Sequence, residues 1–394
     1  MTSTARQIQV MIRANILSLS RRLAISLSMV LSIALVVGVL AGFLGMAKGF
    51  ERALAGAGSP NVAVVLGGGT NQETSSDLPA ASIRSIIGLG ADVGAIRDGS
   101  DNLVYSREIV VPTEIEGRTL ALRGMDPTGA TIRDNAKLSA GRLFTSGTRE
   151  IVVGERLARD FPIFSLGGTV RLGTIKWTVV GYFANNGGAF ESEIWADLDA
   201  VRAGFGRQGQ VQTLRLRLEN PASIARLKDA LAKVTGTPLV VVSEEGLYAT
   251  QSQHTSDIIR LFGWPIALLM ALGAIAGALN TMMTSVSDRK VEVATVRALG
   301  FGRLPTFIAT WFEAVFLSAA GSFVGVTLSW IIFNGWQAST IGANNARTGF
   351  ELAITPDVII SASLLGLAVG VIGGVPPAFT ASRLPLILAL RSKS

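Results

Sequence analysis

Few residues of this 394-residue sequence belong to the types that build catalytic or metal sites. The chain has no cysteine, which excludes disulfides and the Cys-based zinc, haem and iron–sulfur sites. The sequence has one histidine, His254, so almost every metal or catalytic site that needs several histidines is excluded. We interpret His254 as a polar residue near a membrane surface. The HExxH and GxSxG motifs are both missing, and no Ser/Lys or Asp pair stands out. An enzyme is therefore the least supported class of function.

An acidic residue inside an apolar segment is the next feature that could have a chemical role. Glu313 lies about nine residues into the apolar run 304–334, and acids in such a setting are costly and usually paired or functional. We expect a structural role near the cytoplasmic leaflet, in which the carboxylate pairs with Arg297, Arg303 or an arginine of the C-terminal tail. The alternative is proton coupling.

A short charged segment, SDRKVEVATVRALGFGR at 287–303, lies between two long apolar runs. Its apolar residues recur at helical spacing, at Val291, Ala294, Ala298 and Leu299. Its charged residues supply the remaining surface, at Arg289, Lys290, Glu292 and Arg297. Gly300 can end the helix in a left-handed cap. Because so short a helix is marginal alone, we expect it to dock on another surface. The alternative is a cytoplasmic loop that anchors the flanking spans only by its positive charge.

The composition is that of a membrane protein. Hydrophobic residues make up 49% of the chain and charged residues 16%, and the mean hydropathy is +0.45. A spanning helix needs about 20 mostly apolar residues, and four segments meet this requirement: 23–46, 258–284 with its apolar core at 261–284, 304–334 and 357–379. The first is longer than the apolar part of a signal peptide, so we predict an uncleaved helix.

The distribution of positive charge predicts the orientation, because short loops rich in Lys and Arg stay in the cytoplasm. Cationic residues cluster in three segments: 1–22, 285–303 and the tail 380–394. The first of these is predicted to be an amphipathic helix, and the second is the loop that holds the short charged helix. We therefore expect a multi-pass protein of the bacterial inner membrane with both termini in the cytoplasm. The net charge of +7 is then a topology signal, and no nucleic-acid partner is expected.

This orientation places residues 47–257 outside the cytoplasm, with 335–356 as a second outer loop. Short β-branched or alternating runs predict strands at 61–67, 102–111, 169–183, 211–218 and 238–243. Helices are predicted at 79–87, 193–205 and 221–234. The order of these elements indicates an α+β domain with a β-rich insertion near 112–210.

Each predicted span carries a pair of glycines four residues apart. The pairs are Gly38/Gly42, Gly273/Gly277, Gly321/Gly325 and Gly366/Gly370. Such pairs lie on one helical face and allow backbones to approach closely. Together they predict tight helix packing or dimerisation.

The charged segment also carries a family resemblance. NTMMTSVSDRKVEVATVRALG, residues 280–300, resembles the signature of MacB/FtsX/LolC-type ABC transporter permeases. Glu313-Ala314, followed by Gly321 and Gly325, is similar to that family's third span. The tail is similar to the family's ending at Pro376, Pro377, Ala378, Ala381, Arg383, Pro385, Ala389, Leu390 and Arg391. In the outer block, GRLF (141–144), 150–161 and 169–183 resemble the MacB-type periplasmic core, which implies a four-span membrane protein with that domain between spans 1 and 2.

The resemblance also implies a mechanism. In this family the loop between the second and third spans contacts an ATPase, and ATP-driven closure is passed to the external domain. The sequence has no GxxxxGK[ST] motif, so we expect no ATPase activity and no cofactor in this chain. ATP and Mg would be bound by two copies of a separate ATPase subunit. Further expected partners are a second copy of the chain, membrane lipid and, in an envelope-spanning exporter, a periplasmic adaptor and an outer-membrane channel.

Three functions follow from this resemblance. The leading one is the permease of an exporter for a hydrophobic, amphipathic or lipid-like substrate. The others are an FtsX-like transmitter that activates a cell-wall hydrolase and a LolC-like lipoprotein-releasing permease. An outer block of about 210 residues favours the exporter over the transmitter.

Overall fold

The computed structural model describes residues 4–55, 57–90, 92–234, 238–342 and 346–384. The chain divides into two compact units. The helical unit comprises residues 1–48, 257–336 and 352–394, and the sheet unit comprises 49–256 and 337–351.

The elements are numbered in chain order. The helices are α1 (Thr4–Ser18), α2 (Leu23–Leu54), α3 (Ala80–Gly88), α4 (Gly129–Ile132), α5 (Glu155–Asp160), α6 (Leu198–Gly204), α7 (Ala222–Val234), α8 (Glu244–Asp288), α9 (Lys290–Ala298), α10 (Arg303–Phe333) and α11 (Pro356–Ser382). The strands are β1 (Val62–Gly67), β2 (Tyr105–Ile115), β3 (Arg118–Met125), β4 (Lys137–Gly141), β5 (Glu150–Gly154), β6 (Thr169–Leu172), β7 (Ile175–Ala184), β8 (Glu193–Asp197), β9 (Thr213–Arg217), β10 (Leu239–Ser243), β11 (Gln337–Ile341) and β12 (Arg347–Glu351).

Among the described residues, four helices are long and apolar enough to cross a membrane: α2, α8, α10 and α11. They contain the predicted spans, except that α10 ends at Phe333, one residue before the end of the predicted span 304–334. Two of them extend well beyond the predicted limits, because α2 continues to Leu54 and α8 begins at Glu244 rather than near 258. The polar first turns of α8 lack the apolar character of a span, so composition alone did not show that they belong to the same helix.

The core of the helical unit includes one stripe of α2 and small residues of α8, together with residues of α10 and α11. Ile33, Val37 and Leu40 of α2 are fully buried, at spacings of four and three residues. Apart from Met282, the buried members of this core from α8 are alanines: Ala267, Ala271, Ala274 and Ala278. Their small side chains allow close approach between helix backbones in a setting where water supplies no driving force.

In the sheet unit, the described strands β1–β10 form one sheet in the order β10-β1-β9-β2-β3-β8-β5-β7-β4, and β6 pairs with β7. The β3–β8 and β5–β7 pairs are parallel, and the other pairs are antiparallel. The strands of the predicted insertion do not form a sheet of their own, because β2 pairs with β9 through Tyr105–Glu108 and with β3 through Glu108–Ile115. Two hydrophobic clusters flank this junction, one around Leu214 and Leu227 and one around Trp177 and Ile194.

Two details of the sheet unit differ from the prediction. The helix predicted at 193–205 is wrong in its first part, because buried Glu193–Asp197 is strand β8 and Asp197 then caps α6 by accepting a hydrogen bond from Ala200 N at 2.9 Å. The segment 335–356, predicted only as a loop, contains the hairpin β11–β12, and this hairpin belongs to the sheet unit. There Gly349 N donates to Ser192 Oγ at 3.0 Å.

A buried cluster of charged side chains connects several strands at the centre of the sheet unit. It consists of Glu73, Glu108, Arg123, Arg133, Glu193, Arg215 and Glu244. Arg123 Nη2 lies 2.7 Å from Glu193 Oε1, and Arg215 Nε lies 2.9 Å from Glu244 Oε1. Buried charges of this kind are tolerated only when they are paired and hydrogen-bonded. The cluster therefore locks β2, β3, β8, β9 and the first residue of α8 together.

The acids of this cluster are held in their charged form. Burial raises the pKa of the Glu108 carboxyl, but the guanidinium groups of Arg133, Arg215 and Arg123 outweigh burial and lower it to about 2. The pKa of Glu73 is likewise raised by burial and lowered further by Arg123 and Arg215, so that it ends well below its usual value. A carboxyl whose folded pKa is depressed stabilises the fold above its unfolded pKa.

We predict that this contribution is lost as pH falls from about 4.5 towards about 2. At pH 7, Glu108→Gln should lower the free energy of unfolding by about 3 kcal/mol, because it leaves buried arginines without their partner. Tryptophan fluorescence of the full chain in detergent during thermal unfolding measures this, since Trp195 Nε1 donates to Glu193 within the cluster. Glu114→Gln is the control, as Glu114 is exposed on the same strand. Equal melting temperatures for these two variants would contradict the prediction.

Candidate functional site

The charged segment folds as predicted into a short helix, α9, that begins after Arg289 and ends at Ala298. Gly300 follows it with a φ of +100°, a conformation that L side chains rarely adopt. Gly300 N donates to Arg297 O at 3.0 Å, and Leu299 N donates to Thr295 O at 3.0 Å. The glycine therefore ends the helix, as the sequence indicated.

The faces of α9 differ from the predicted docking surface. Ala294 is fully buried within this chain, and Val291 is half-buried, so the centre of the predicted apolar stripe faces the chain itself. The exposed face is instead formed by Glu292, Thr295 and Leu299, with Ala298 and Lys290 beside it. Leu299 is 77% exposed, which makes it the largest apolar side chain that α9 and its end present for contact.

Arg289 is buried, although the sequence placed it on the charged surface. Its Nη2 donates to Glu313 Oε2 on α10 at 2.7 Å, and the exposed fractions of the two side chains are 7% and 2%. The prediction that Glu313 pairs with Arg297, Arg303 or an arginine of the C-terminal tail is wrong, because the carboxylate pairs with Arg289. Arg303 lies ten residues before Glu313, about 15 Å along α10, whereas the break between α8 and α9 turns Arg289 inward.

The ion pair extends into a wider polar network at the same end of the helical unit. Arg289 Nη2 also donates to Ser285 Oγ on α8 at 3.2 Å. Arg22, which precedes α2, donates to the same oxygen at 2.6 Å and to Ser18 Oγ on α1 at 2.7 Å. The start of α9 is therefore fixed to α1, α8 and α10 together.

The far end of α9 is fastened to the tail. Arg297 is half-buried, and its Nη1 donates to Leu384 O just after α11 at 2.8 Å. In the tail motif, Pro377, Ala378 and Ala381 are buried on α11. Pro385 and residues 389–391 of that motif lie outside the described residues.

Three of the four glycine pairs lie at helix contacts within the chain. A β-carbon on Gly321 would lie 2.8 Å from Val30 O, and one on Gly325 would lie 2.6 Å from Ala34 O, so α10 packs closely on α2. Gly366 and Gly370 on α11 leave equally little room beside Ser322 and Ser318 of α10. Gly38 and Gly42 face α10 in ordinary contact with Ser329 and Phe333.

The pair on α8 is different. A β-carbon on Gly273 or Gly277 would meet no described atom within 4 Å. Both glycines therefore lie on a face of α8 that is uncovered within the described part of this chain.

Two family models cover most of the chain. The model of the MacB-like periplasmic core domain matches residues 24–234, which is more than half of the sequence. The model of the FtsX-like permease C-terminal region matches residues 265–386 and so includes α9, Arg289 and Glu313.

Curated relatives point the same way. The chain is 24% identical over 364 residues to the macrolide export ATP-binding/permease protein MacB of Neisseria gonorrhoeae, covering 83% of this chain and 55% of the relative. It is 27% identical over 277 residues to the protein of the same name from Nitrosomonas europaea, covering 65% and 40%. The chain thus spans about half the length of the curated relatives it matches.

Two solved structures are similar to part of this chain at low sequence identity. The extracellular domain of the transporter YknZ from Gram-positive bacteria is 17% identical, with a TM-score of 0.36, and covers 46% of this chain and 100% of its own. The periplasmic region of MacB from Actinobacillus actinomycetemcomitans is 14% identical, with a TM-score of 0.37, and covers 50% and 94%. The family models, which together match both the α+β region and the helical region around α9, show that this chain belongs to the family of MacB/FtsX-type ABC transporter permeases.

Proposed function

We propose that this chain is the membrane subunit of an ABC exporter and transmits ATP-driven motion from a separate ATPase to its sheet unit. The observation that carries the proposal is α9, a helix between two spans that exposes Leu299 and Glu292 while both of its ends are fixed internally. An amphipathic helix that inserts into a groove of a partner is a common docking mode. Arg289 ties α9 to α10, and Arg297 ties it to the residues after α11. A force on the exposed face of α9 is therefore passed to these spans, whereas a loop without such contacts would bend.

The path of the motion follows α8. Ser285, near one end of this helix, accepts hydrogen bonds from Arg22 and Arg289, and Glu244, its first residue, belongs to the buried ion cluster of the sheet unit. One continuous helix of 45 residues joins these two positions. A displacement of α8 by the ATPase would therefore act directly on the centre of the sheet.

The other components are part of the same proposal. ATP and Mg bind the ATPase subunits, and α9, both termini and the ATPase lie in the cytoplasm, while the sheet unit lies outside. Two copies of the chain pair, with Gly273 and Gly277 on the face of α8 that the described chain leaves uncovered. The substrate is hydrophobic, amphipathic or lipid-like, and a periplasmic adaptor and outer-membrane channel complete the route. The similarity to proteins named for macrolide export supports export as the output.

Substitution on the exposed face of α9 tests the docking role. Leu299→Glu should break assembly with the ATPase and export, because losing one central anchor of such a contact costs about 2 kcal/mol or more, roughly 30-fold in affinity. Ala298 is also exposed, so Ala298→Glu should likewise weaken assembly with the ATPase and reduce export. Both are measured by co-purification of the cognate ATPase and by export at matched expression.

Ser287→Glu is the matched control, since Ser287 is exposed in the same charged segment but precedes α9. It adds the same negative charge and should leave assembly intact. If Leu299→Glu and Ala298→Glu behave like this control, the segment is only a topological anchor and the proposed coupling fails.

A double-mutant cycle tests the tie between α9 and α10. Glu313→Met should destabilise the chain by about 3 kcal/mol, because it leaves the Arg289 guanidinium buried without a counter-charge. Adding Arg289→Met should recover much of the loss, since an apolar pair avoids the desolvation cost. Thermal unfolding in detergent measures each variant, and strictly additive losses would show that the two side chains do not interact.

A further inference from the structure

The sheet unit contains a small pocket lined by arginines, which the proposed coupling mechanism does not use. It lies between β3, α5 and the hairpin β11–β12, and its volume is about 30 Å³. Its three arginines are Arg118 of β3, Arg156 of α5 and Arg347 of β12. All of them belong to the same compact unit. We call this space the arginine pocket.

Arg156 is the buried arginine of the pocket. Its exposed fraction is 8%, and its Nη1 has no hydrogen-bond partner in the described part of the chain. Its Nη2 donates to Gly187 O at 3.3 Å, which is longer than the usual range for such a bond. A buried guanidinium is costly unless it meets a counter-charge and satisfies its donors. This side chain therefore lacks a partner that its burial requires.

No carboxylate of the described chain supplies that counter-charge. The ion pairs among the described residues include none of the three arginines. Asp160 lines the pocket without pairing with them. The buried Glu191 instead uses its Oε1 to accept from Asn185 N at 2.7 Å and Gly187 N at 2.8 Å. Three cations and one acid thus give the lining a net charge of +2 (3 − 1), which favours an anion.

The hairpin places the unpartnered nitrogen beside the pocket. A β-carbon at Gly349 of β12 would lie 2.7 Å from Arg156 Cδ and 3.3 Å from Arg156 Nη1. Gly349 also lines the pocket, so Nη1 lies against a part of its wall. Arg118 and Arg347 are exposed, which places them at the mouth. The Arg118 guanidinium lies over the Phe161 ring, 5.1 Å from its centroid, and a stacked guanidinium can still donate from its edge.

We propose that the arginine pocket binds a carboxylate group, with Arg156 at its inner end and Arg347 at its mouth donating hydrogen bonds to the two oxygens. Guanidinium and carboxylate groups form strong, charge-assisted pairs of this kind. Ser192 Oγ, which also lines the pocket and accepts from Gly349 N at 3.0 Å, can donate its own proton to the same group.

The size of the pocket favours a carboxylate over a phosphate. A volume of about 30 Å³ has room for about two water-sized atoms. This matches the two oxygens of a carboxylate, whereas a phosphate has four. Two sources carry this chemistry: a free small carboxylate and an acidic side chain of a peptide segment. The inference does not rest on the exporter proposal, because it depends only on residues of the sheet unit.

Isothermal titration calorimetry of the full chain in detergent, at pH 7 and low salt, tests the proposal. The probes are acetate, a blocked peptide with one glutamate, its glutamine counterpart and inorganic phosphate. Acetate and the glutamate peptide should bind, the glutamine peptide should not, and phosphate should bind more weakly than acetate. At least about tenfold tighter binding of the glutamate peptide than of acetate identifies a peptide side chain as the source. Equal affinities identify a free small carboxylate.

Two substitutions test the assigned residues. Arg156→Met should weaken acetate binding at least about tenfold, because a charge-assisted hydrogen bond is lost. Its melting temperature should be no lower than that of the unmodified chain, since it removes a buried cation that lacks a counter-charge. Arg347→Gln should also weaken binding while leaving the melting temperature unchanged, as Arg347 is exposed.

Arg159→Met is the matched control, because Arg159 lies on α5, is exposed and does not line the pocket. Its affinity for acetate should equal that of the unmodified chain. The proposal is overturned if neither carboxylate probe binds, if phosphate or the glutamine peptide binds as tightly as the glutamate peptide, or if Arg156→Met leaves the affinity unchanged. If Arg156→Met lowers the melting temperature or does not fold, the guanidinium is already satisfied within the chain and the proposal fails as well.

Discussion

An ionised carboxylate inside an apolar helix bundle has to meet a positive charge, and this requirement determines how Glu313 and Arg289 are arranged. The pair is buried, at 2.7 Å, and each partner belongs to a different helical segment. A buried charge without a partner costs several kcal/mol. The break between α8 and α9 therefore cannot move away from α10 unless Arg289 or Glu313 becomes exposed to solvent or stays buried without its partner. A nine-residue helix that would be marginal alone thereby gains a fixed position.

A buried ion pair also fixes the other end of α8, in the sheet unit. Glu244 begins α8 and pairs with Arg215 in a buried cluster, and Arg289 follows the last residue of α8 and pairs with Glu313. Between these two ion pairs, α8 contributes alanines to the helical core, and its glycines lie on a face that the described part of the chain leaves uncovered. Strong attachments at the ends and a smooth surface between them suit a helix that carries displacement along its length, which is the role that we propose for it.

Patterns that depend on neighbours in the sequence were sufficient to predict much of this fold. Apolar runs identified the four long helices, β-branched runs identified β1, β2, β9, β10 and the β6–β7 hairpin, and Gly300 identified the end of α9. The family was likewise evident from motifs that lie within single segments, and the family models confirm it.

Features that depend on distant residues were not predictable in this way. Arg215 alternates with Leu214 and Leu216 as an outward-facing residue of a half-exposed strand would, yet both faces of β9 are covered. Ala294 and Ala298 share one apolar stripe in the sequence, but the packing of α9 buries the first and exposes the second. Helical spacing defines a stripe without stating which neighbour covers it, so the partner of Glu313 and the exposed face of α9 required the structure.

In the mechanism that we propose, nucleotide-driven motion enters at α9 and reaches the sheet unit through α8. The chain contains no cysteine, so a single spin label at exposed Thr250 of α8 can report the distance between two copies in the complex with the ATPase. We predict that this distance changes between the nucleotide-free and ATP-bound states, and that Glu313→Gln abolishes the change while the ATPase stays bound. The mechanism would be contradicted if the distance in the unmodified complex were the same with and without ATP, or if the Glu313→Gln complex showed an equal change.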